Sequence, residues 1–312
     1  MPNMCRYTIT LLGLIALALI AAAGVSWFGL DQCPLSDRNV CGIYHFQRAK
    51  LAAAPETVDL MMLGDSSLGN AVDGQQMGAL VGRSTVNLAM SGGSLGLGAN
   101  YIQLQDALKH HRIRNVVIMF TPAGFRHRFK LASEGYVFAT GGDLRRAMVS
   151  PTVFFRSLLA MGRMLFDIKS LSAGAKRLAL GIETGGECFG CAEHGYPRQT
   201  RTEFIDNGDL KRWRGPVADF DPFLARIAAL CRSAGVNCLY MHGPIAQFAL
   251  DNNPGYIAQV NAKVTAAGLQ LVDPEPIVLP EGETGDAINH VRPDLRAAYT
   301  EKIYRQIAPL LK

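Results

Sequence analysis

VDLMMLGDSS, Val58–Ser67, is the stretch on which the fold turns. Val58–Leu63 is an almost continuous apolar run closed by Gly64. Such a run reads as a strand buried on both faces, the kind found in parallel sheets. Gly64-Asp65-Ser66-Ser67 then turns the chain, and a serine at a strand-to-helix turn is presented at the carboxyl edge of its sheet. Further along, Thr85–Leu88, Asn115–Phe120, Val236–Met241 and Leu269–Val272 read as strands. Tyr101–His110, Pro222–Ala234, Tyr256–Ala267 and Pro293–Leu311 carry helical apolar spacing. Strand–helix alternation with short links implies an α/β domain whose parallel sheet is covered on both faces. The rhythm breaks between about residues 125 and 214, which read as a long insertion over the strand ends, placed to shape or lid a site or to dock on a membrane partner.

Composition supports one substantial core. Of 312 residues, 49% are apolar and 18% charged, which excludes a disordered chain. The 32 glycines follow no Gly-X-Y period, which excludes collagen, and no repeat suggests a solenoid. The net charge of +5 is scattered, with no Lys/Arg run, which argues against a nucleic-acid partner.

Tyr7–Leu30 contains no charged side chain. At ~1.5 Å rise per residue this run can cross a ~30 Å hydrocarbon layer. Arg6 precedes it, and Asp31 and Asp37 follow. The positive-inside bias then keeps the N-terminus cytosolic and sends the body outward. The expected organisation is an anchor over residues 1–30, a juxtamembrane segment over 31–55 and an α/β domain over 56–312. The expected location is the inner membrane, single-pass, with a periplasmic body. A cleaved secretory signal, with a small-residue site at Ala21-Ala22-Ala23, is the alternative, and it also exports the body.

Cysteine usage agrees with export. Beyond Cys5 there are six: Cys33, Cys41, Cys188, Cys191, Cys231 and Cys238. An even number suits disulfides in an oxidising compartment. The sequence-local set is Cys33–Cys41, Cys188–Cys191 and Cys231–Cys238, one of many pairings. Cys188-Phe189-Gly190-Cys191 lies in a glycine-rich loop and suits a structural disulfide. A zinc site with His194 or a redox pair are the other readings, though no fourth zinc ligand is evident.

Three blocks carry the chemistry. Ser66 stands at the strand-end turn with Asp65. Asn87-Leu-Ala-Met-Ser91-Gly92-Gly93 follows the second strand, where glycine lets backbone N–H groups approach a substrate. It lacks the lysine of a P-loop. Asp286-Ala-Ile-Asn-His290 precedes the last helix, and a serine nucleophile needs a base with an orienting carboxylate. His242, at a strand end, is a site-lining candidate whose plainer role is a local structural one.

In this order the blocks resemble those of the SGNH/GDSL hydrolase superfamily, from about Val58 to the C-terminus. The resemblance implies a flavodoxin-like three-layer α/β/α fold and serine acyl-transfer chemistry without a cofactor or metal. By position, Ser66 resembles the nucleophile, His290 the base and Asp286 its orienter. The N–H groups of Ser66 and Gly92 resemble oxyanion donors, with Asp65, Asn87 and His242 as lining residues. The chain departs from the family twice: Thr121-Pro122-Ala123-Gly124 stands where an Asn is usual, and Asp286 is four rather than three residues before His290. A single N-terminal anchor with an external SGNH-like body resembles the alginate-acetylation and teichoic-acid D-alanyl transfer proteins. The expected function is therefore acyl-ester hydrolysis or O-acyl transfer on an envelope or secreted polysaccharide. A polysaccharide synthase or acyl-donor membrane protein is the expected partner. A non-catalytic glycan-binding or scaffold module is the rival, and an esterase or lipase for small or lipid esters is a third reading.

Overall fold

The computed structural model describes residues 2–29, 38–90, 92–126 and 220–312, with isolated positions between 151 and 216. Its centre is a five-stranded parallel sheet of order β2-β1-β3-β4-β6. The strands are β1 (Thr57–Gly64), β2 (Thr85–Ala89), β3 (Arg112–Phe120), β4 (Asn237–His242) and β6 (Gln270–Leu271). β5 (Ile245–Ala246) and β7 (Val278–Leu279) form a small parallel pair. Leu60–Leu63 and Val116–Met119 are fully buried, as the apolar runs required of strands covered on both faces.

Helices supply the crossovers. α3 (Ser66–Ala71) and α4 (Gly74–Val81) link β1 to β2, and α5 (Gly92–His110) links β2 to β3. α6 (Asp221–Ala234), α7 (Gln247–Asp251), α8 (Tyr256–Ala266) and α9 (Arg296–Ile307) complete the body. The chain goes from β1 to one neighbour, β2, then crosses to the other, β3. The order therefore reverses between β1 and β3, and that crevice at the strands' carboxyl ends is where open α/β sheets bind ligands.

The exposed edge of β2 is closed from upstream. α2 (Arg38–Ala52) buries Ile43 and Tyr44, and Gln47 Nε2 and Lys50 Nζ each donate at 2.7 Å, to Ala89 O and Asn87 O. Those carbonyls, two residues apart, share the side of β2 facing away from β1. α2 thus covers a strand edge that would otherwise leave its carbonyls unpaired.

α1 (Pro2–Gly29) is a 28-residue helix whose described leucines are exposed. Among the described residues no helix is long and apolar enough to cross a membrane, and the unbroken run of described side chains in α1 covers only residues 10–25. A span over Tyr7–Leu30 therefore stays an expectation.

Of the expected disulfides, Cys231–Cys238 is formed, with a Cα–Cα distance of 6.0 Å, and joins the end of α6 to β4. Cys33, Cys188, Cys191 and the side chain of Cys41 lie outside the described residues. So does most of the expected insertion, with its lid.

Candidate active site

β1 ends at the crevice, and Asp65 caps the helix that follows it. Its Oδ1 accepts from Ser67 N at 2.9 Å and from Ser67 Oγ at 2.5 Å; its Oδ2 accepts from Thr121 N, just past β3, at 3.0 Å. One carboxylate thus ties together the ends of both strands that flank the crevice. Asp65 is 1% exposed. Burial pushes its carboxyl above the usual carboxylate range, while the hydrogen bonds from Ser67 and Thr121 and the electrostatic influence of nearby His290 act against the rise.

The two serines have different surroundings. Ser67 is fully buried and bonded to Asp65. Gly243, one residue past β4, lies so close that a Cβ there would meet Ser67 Oγ at 2.1 Å. Ser66 is half-buried and opens α3, so its N–H has no intrahelical acceptor. Of the pair, only Ser66 keeps any solvent exposure.

Asp286 and His290 come together through a closed loop. Gly285 N donates to His290 O at 2.6 Å, and Thr284 bridges Val291 in antiparallel fashion. This curls residues 285–290 so that His290 Nδ1 lies 2.7 Å from Asp286 Oδ1, both side chains being partly exposed. A four-residue gap therefore brings the two side chains into contact. With Nδ1–H donating to the carboxylate, Nε2 is left as the basic nitrogen.

The far end of the chain reaches the near one. Arg296 Nη2 donates to Gly69 O in α3 at 2.7 Å and to Val72 O, the residue just past its end, at 2.8 Å. Thr300 Oγ1 accepts from Asp73 N at 2.9 Å. Tyr299 OH donates to Glu283 Oε2 at 2.5 Å, bracing the base of the Asp286–His290 loop. The helix after His290 is thus bolted to the helix that Ser66 begins, and His290 acts on the charge of Asp65, the neighbour of Ser66.

The remaining sequence candidates divide. Gly92 opens α5, so its N–H also lacks an intrahelical acceptor. Met90 N donates to Gly64 O at 2.9 Å, which holds the chain leaving β2 beside the Ser66 turn. Ser91 lies outside the described residues. Asn87 is buried and structural: its Oδ1 accepts from Ala89 N at 3.0 Å and its amide reaches Val72 O at 3.4 Å. His242 is 1% exposed, with Nε2 2.6 Å from Asn261 Oδ1. Burial lowers its pKa, and it belongs to the interior rather than to an open mouth. Thr121 directs its N–H to Asp65, and its buried hydroxyl has no partner among the described residues.

Sequence reasoning missed Gly243 and Arg296, and the bonds that Ser67 and Thr121 make to Asp65. Only the Asp65 cap had a local signal, an Asp two residues before a small polar residue. Among the described residues no three His, Cys, Asp or Glu side chains gather as metal ligands would.

No protein-family profile matches this chain, and no curated protein matches it.

Proposed function

We propose that this chain is an exported, membrane-anchored serine hydrolase or O-acyltransferase of the SGNH/GDSL kind, acting on esters of an envelope or secreted polysaccharide. The observation that carries the reading is the His290–Asp286 contact at 2.7 Å, on a segment clamped by Arg296 to the helix that begins at Ser66. His290 Nε2 takes the Ser66 hydroxyl proton as Ser66 Oγ attacks the ester carbonyl. Asp286 holds the imidazole in the required tautomer and stabilises the imidazolium. The N–H groups of Ser66 and Gly92 face the developing oxyanion. His290 then protonates the leaving alcohol, and water or a sugar hydroxyl resolves the acyl-enzyme by the reverse proton path. The chemistry needs no metal or organic cofactor.

The anchor belongs to the same proposal. The uncharged run Tyr7–Leu30, inside and just past a helix with exposed leucines, enters the bilayer and keeps the body outside the cytosol. A polysaccharide synthase or acyl-donor membrane protein would supply the substrate there.

One observation favours the rival, a glycan-binding or scaffold module: where the SGNH/GDSL family has an Asn donor in the third loop this chain has Thr121, whose hydroxyl is buried, and loss of one oxyanion donor typically costs ~10²–10³ in turnover. Hydrolysis of p-nitrophenyl acetate by the full chain separates the two. The enzyme reading expects activity that Ser66→Ala and His290→Ala each abolish; equal rates in wild type and Ser66→Ala would favour the module.

A further inference from the structure

Asp286 and His290 hold each other, but their loop must also be held against the body for His290 to meet Ser66. The bond from Gly285 N to His290 O and the Thr284–Val291 bridge close the loop on itself. Its second half is seated by main chain and apolar packing: Ala246 N donates to Ile288 O at 2.6 Å, and Ile288 and Val291 are buried. Its first half is held at Glu283. The N–H of Glu283 donates to Pro280 O and its carbonyl accepts from Arg292 N, both at 3.0 Å. Its carboxylate Oε2 accepts from Tyr299 OH, on α9, at 2.5 Å.

A buried tyrosine hydroxyl needs a polar partner whatever its role, so the bond alone shows only that Tyr299 is satisfied. Its place in the chain says more. Burial, with the bond to Glu283 and the charge of that carboxylate, raises the phenol's pKa, so the hydroxyl stays a donor. The next residue, fully buried Thr300, accepts from Asp73 N, between α3 and α4. Consecutive residues of α9 therefore hold the Asp286–His290 loop and the end of the helix that Ser66 begins. The spacing between imidazole and hydroxyl is set across a single helical step. We propose that Glu283 and Tyr299 are positioning residues, their hydrogen bond fixing the loop to α9 so that His290 stands within reach of Ser66. This deepens the acyl-transfer reading and rests on it.

Tyr299→Phe removes one oxygen and leaves the ring in the core, and Glu283→Gln keeps an oxygen that can accept from Tyr299. The assay is p-nitrophenyl acetate hydrolysis by the full chain. A misplacement on the ångström scale lowers turnover steeply, so kcat should fall by about 10- to 100-fold in Tyr299→Phe and in Glu283→Ala, with KM within about 2-fold of wild type. Glu283→Gln should keep most of the rate. The ring nitrogen resonances of His290, in protein carrying 15N-labelled histidine and assigned by their loss in His290→Ala, report the tautomer without turnover. Because the loop closes on itself, the Nδ1–H tautomer facing Asp286 should persist in Tyr299→Phe: the pair is intact but displaced. Unchanged kcat in Tyr299→Phe would overturn the proposal while leaving the acyl-transfer reading in place. So would equal losses in Glu283→Gln and Glu283→Ala. Loss of the Nδ1–H tautomer in Tyr299→Phe would also overturn it, since Tyr299 would then hold the fold of the loop and not its place. A wild-type rate that does not depend on Ser66 would overturn the acyl-transfer reading and this inference with it.

Discussion

Replacing Gly243 by alanine tests the tightest contact around the site. The added Cβ would sit 2.1 Å from Ser67 Oγ, 2.8 Å from Ser67 Cβ and 3.3 Å from Thr121 N. Carbon atoms pack at about 3.5–4.0 Å, so something must move. Thr121 N is main chain bonded to Asp65, and Ser67 is fully buried in the first turn of α3, so no flexible side chain can yield. Overpacking a closed site costs about 1–3 kcal/mol. Pushing Ser67 away also breaks its bonds to a buried carboxylate, and a hydrogen bond to a charged group contributes about 1.5–3 kcal/mol. The expected destabilisation is therefore about 3–5 kcal/mol, read from urea unfolding of the full chain followed by circular dichroism. A double-mutant cycle sharpens the test. Ser67→Ala removes the 2.1 Å clash but leaves the 2.8 Å one, so Gly243→Ala should cost clearly less in that background. Gly78→Ala in α4, whose Cβ would meet Thr85 at an ordinary 3.7 Å, should instead stabilise by about 0.5–1 kcal/mol. If Gly243→Ala is as mild as Gly78→Ala, or the two mutations at 243 and 67 simply add, the packing described between β4 and α3 is wrong.

Three other perturbations probe separate parts of the molecule. Asp286→Asn should lower esterase turnover by about 10³-fold or more while leaving the melting temperature nearly unchanged, because it alters the His290 tautomer and not the core; an undiminished rate would remove Asp286 from the mechanism. Lys50 has its pKa lowered to about 8 by burial, Arg296 adding to the effect. Between about pH 8 and 9.5 the unfolded chain therefore holds more protons than the folded one. Stability should rise by about 1–2 kcal/mol across that window through this group, and the rise should vanish in Lys50→Met; identical slopes in both proteins would contradict a buried amine on the β2 edge. The Cys231–Cys238 bridge closes a short loop and so restricts the unfolded chain; Cys231→Ala/Cys238→Ala should therefore cost about 2 kcal/mol in chemical unfolding, and no loss would mean that the pair is not joined.

The sheet was legible because its strands are buried on both faces, and continuous apolar runs such as Val58–Leu63 and Asn115–Phe120 have few other uses. The helices read less well. α5 begins at Gly92, nine residues before the stretch whose spacing reveals it, because Gly92, Gly93, Gly96 and Gly98 weaken the helical signal. Packing of Leu97, Ile102 and Leu104 into the core makes up for that weakness. α3 and α4 are too short for a periodic pattern, although Asp65 and Asp73 cap them, the latter accepting from Gln75 N and Gln76 N at 2.9 Å. α2 escaped notice because it is half polar, and its polar side chains Gln47 and Lys50 are the ones that meet β2. At the site, residue types and their order pointed to Ser66, Asp286 and His290. What no sequence pattern carries is contact between distant segments: Gly243 against Ser67, Arg296 on the end of α3, and Thr121 on Asp65. His242 shows the converse, a chemically capable residue whose local partner, Asn261, keeps it in the interior.

The central claim is that one hydroxyl near the start of the body is activated by one imidazole near its end. Treatment of the full chain with a fluorophosphonate, followed by peptide mass mapping, measures this directly. The account predicts an adduct on Ser66, absent in Ser66→Ala, strongly reduced in His290→Ala and never found on buried Ser67. No adduct on wild-type Ser66, or labelling that is indifferent to His290, would contradict it.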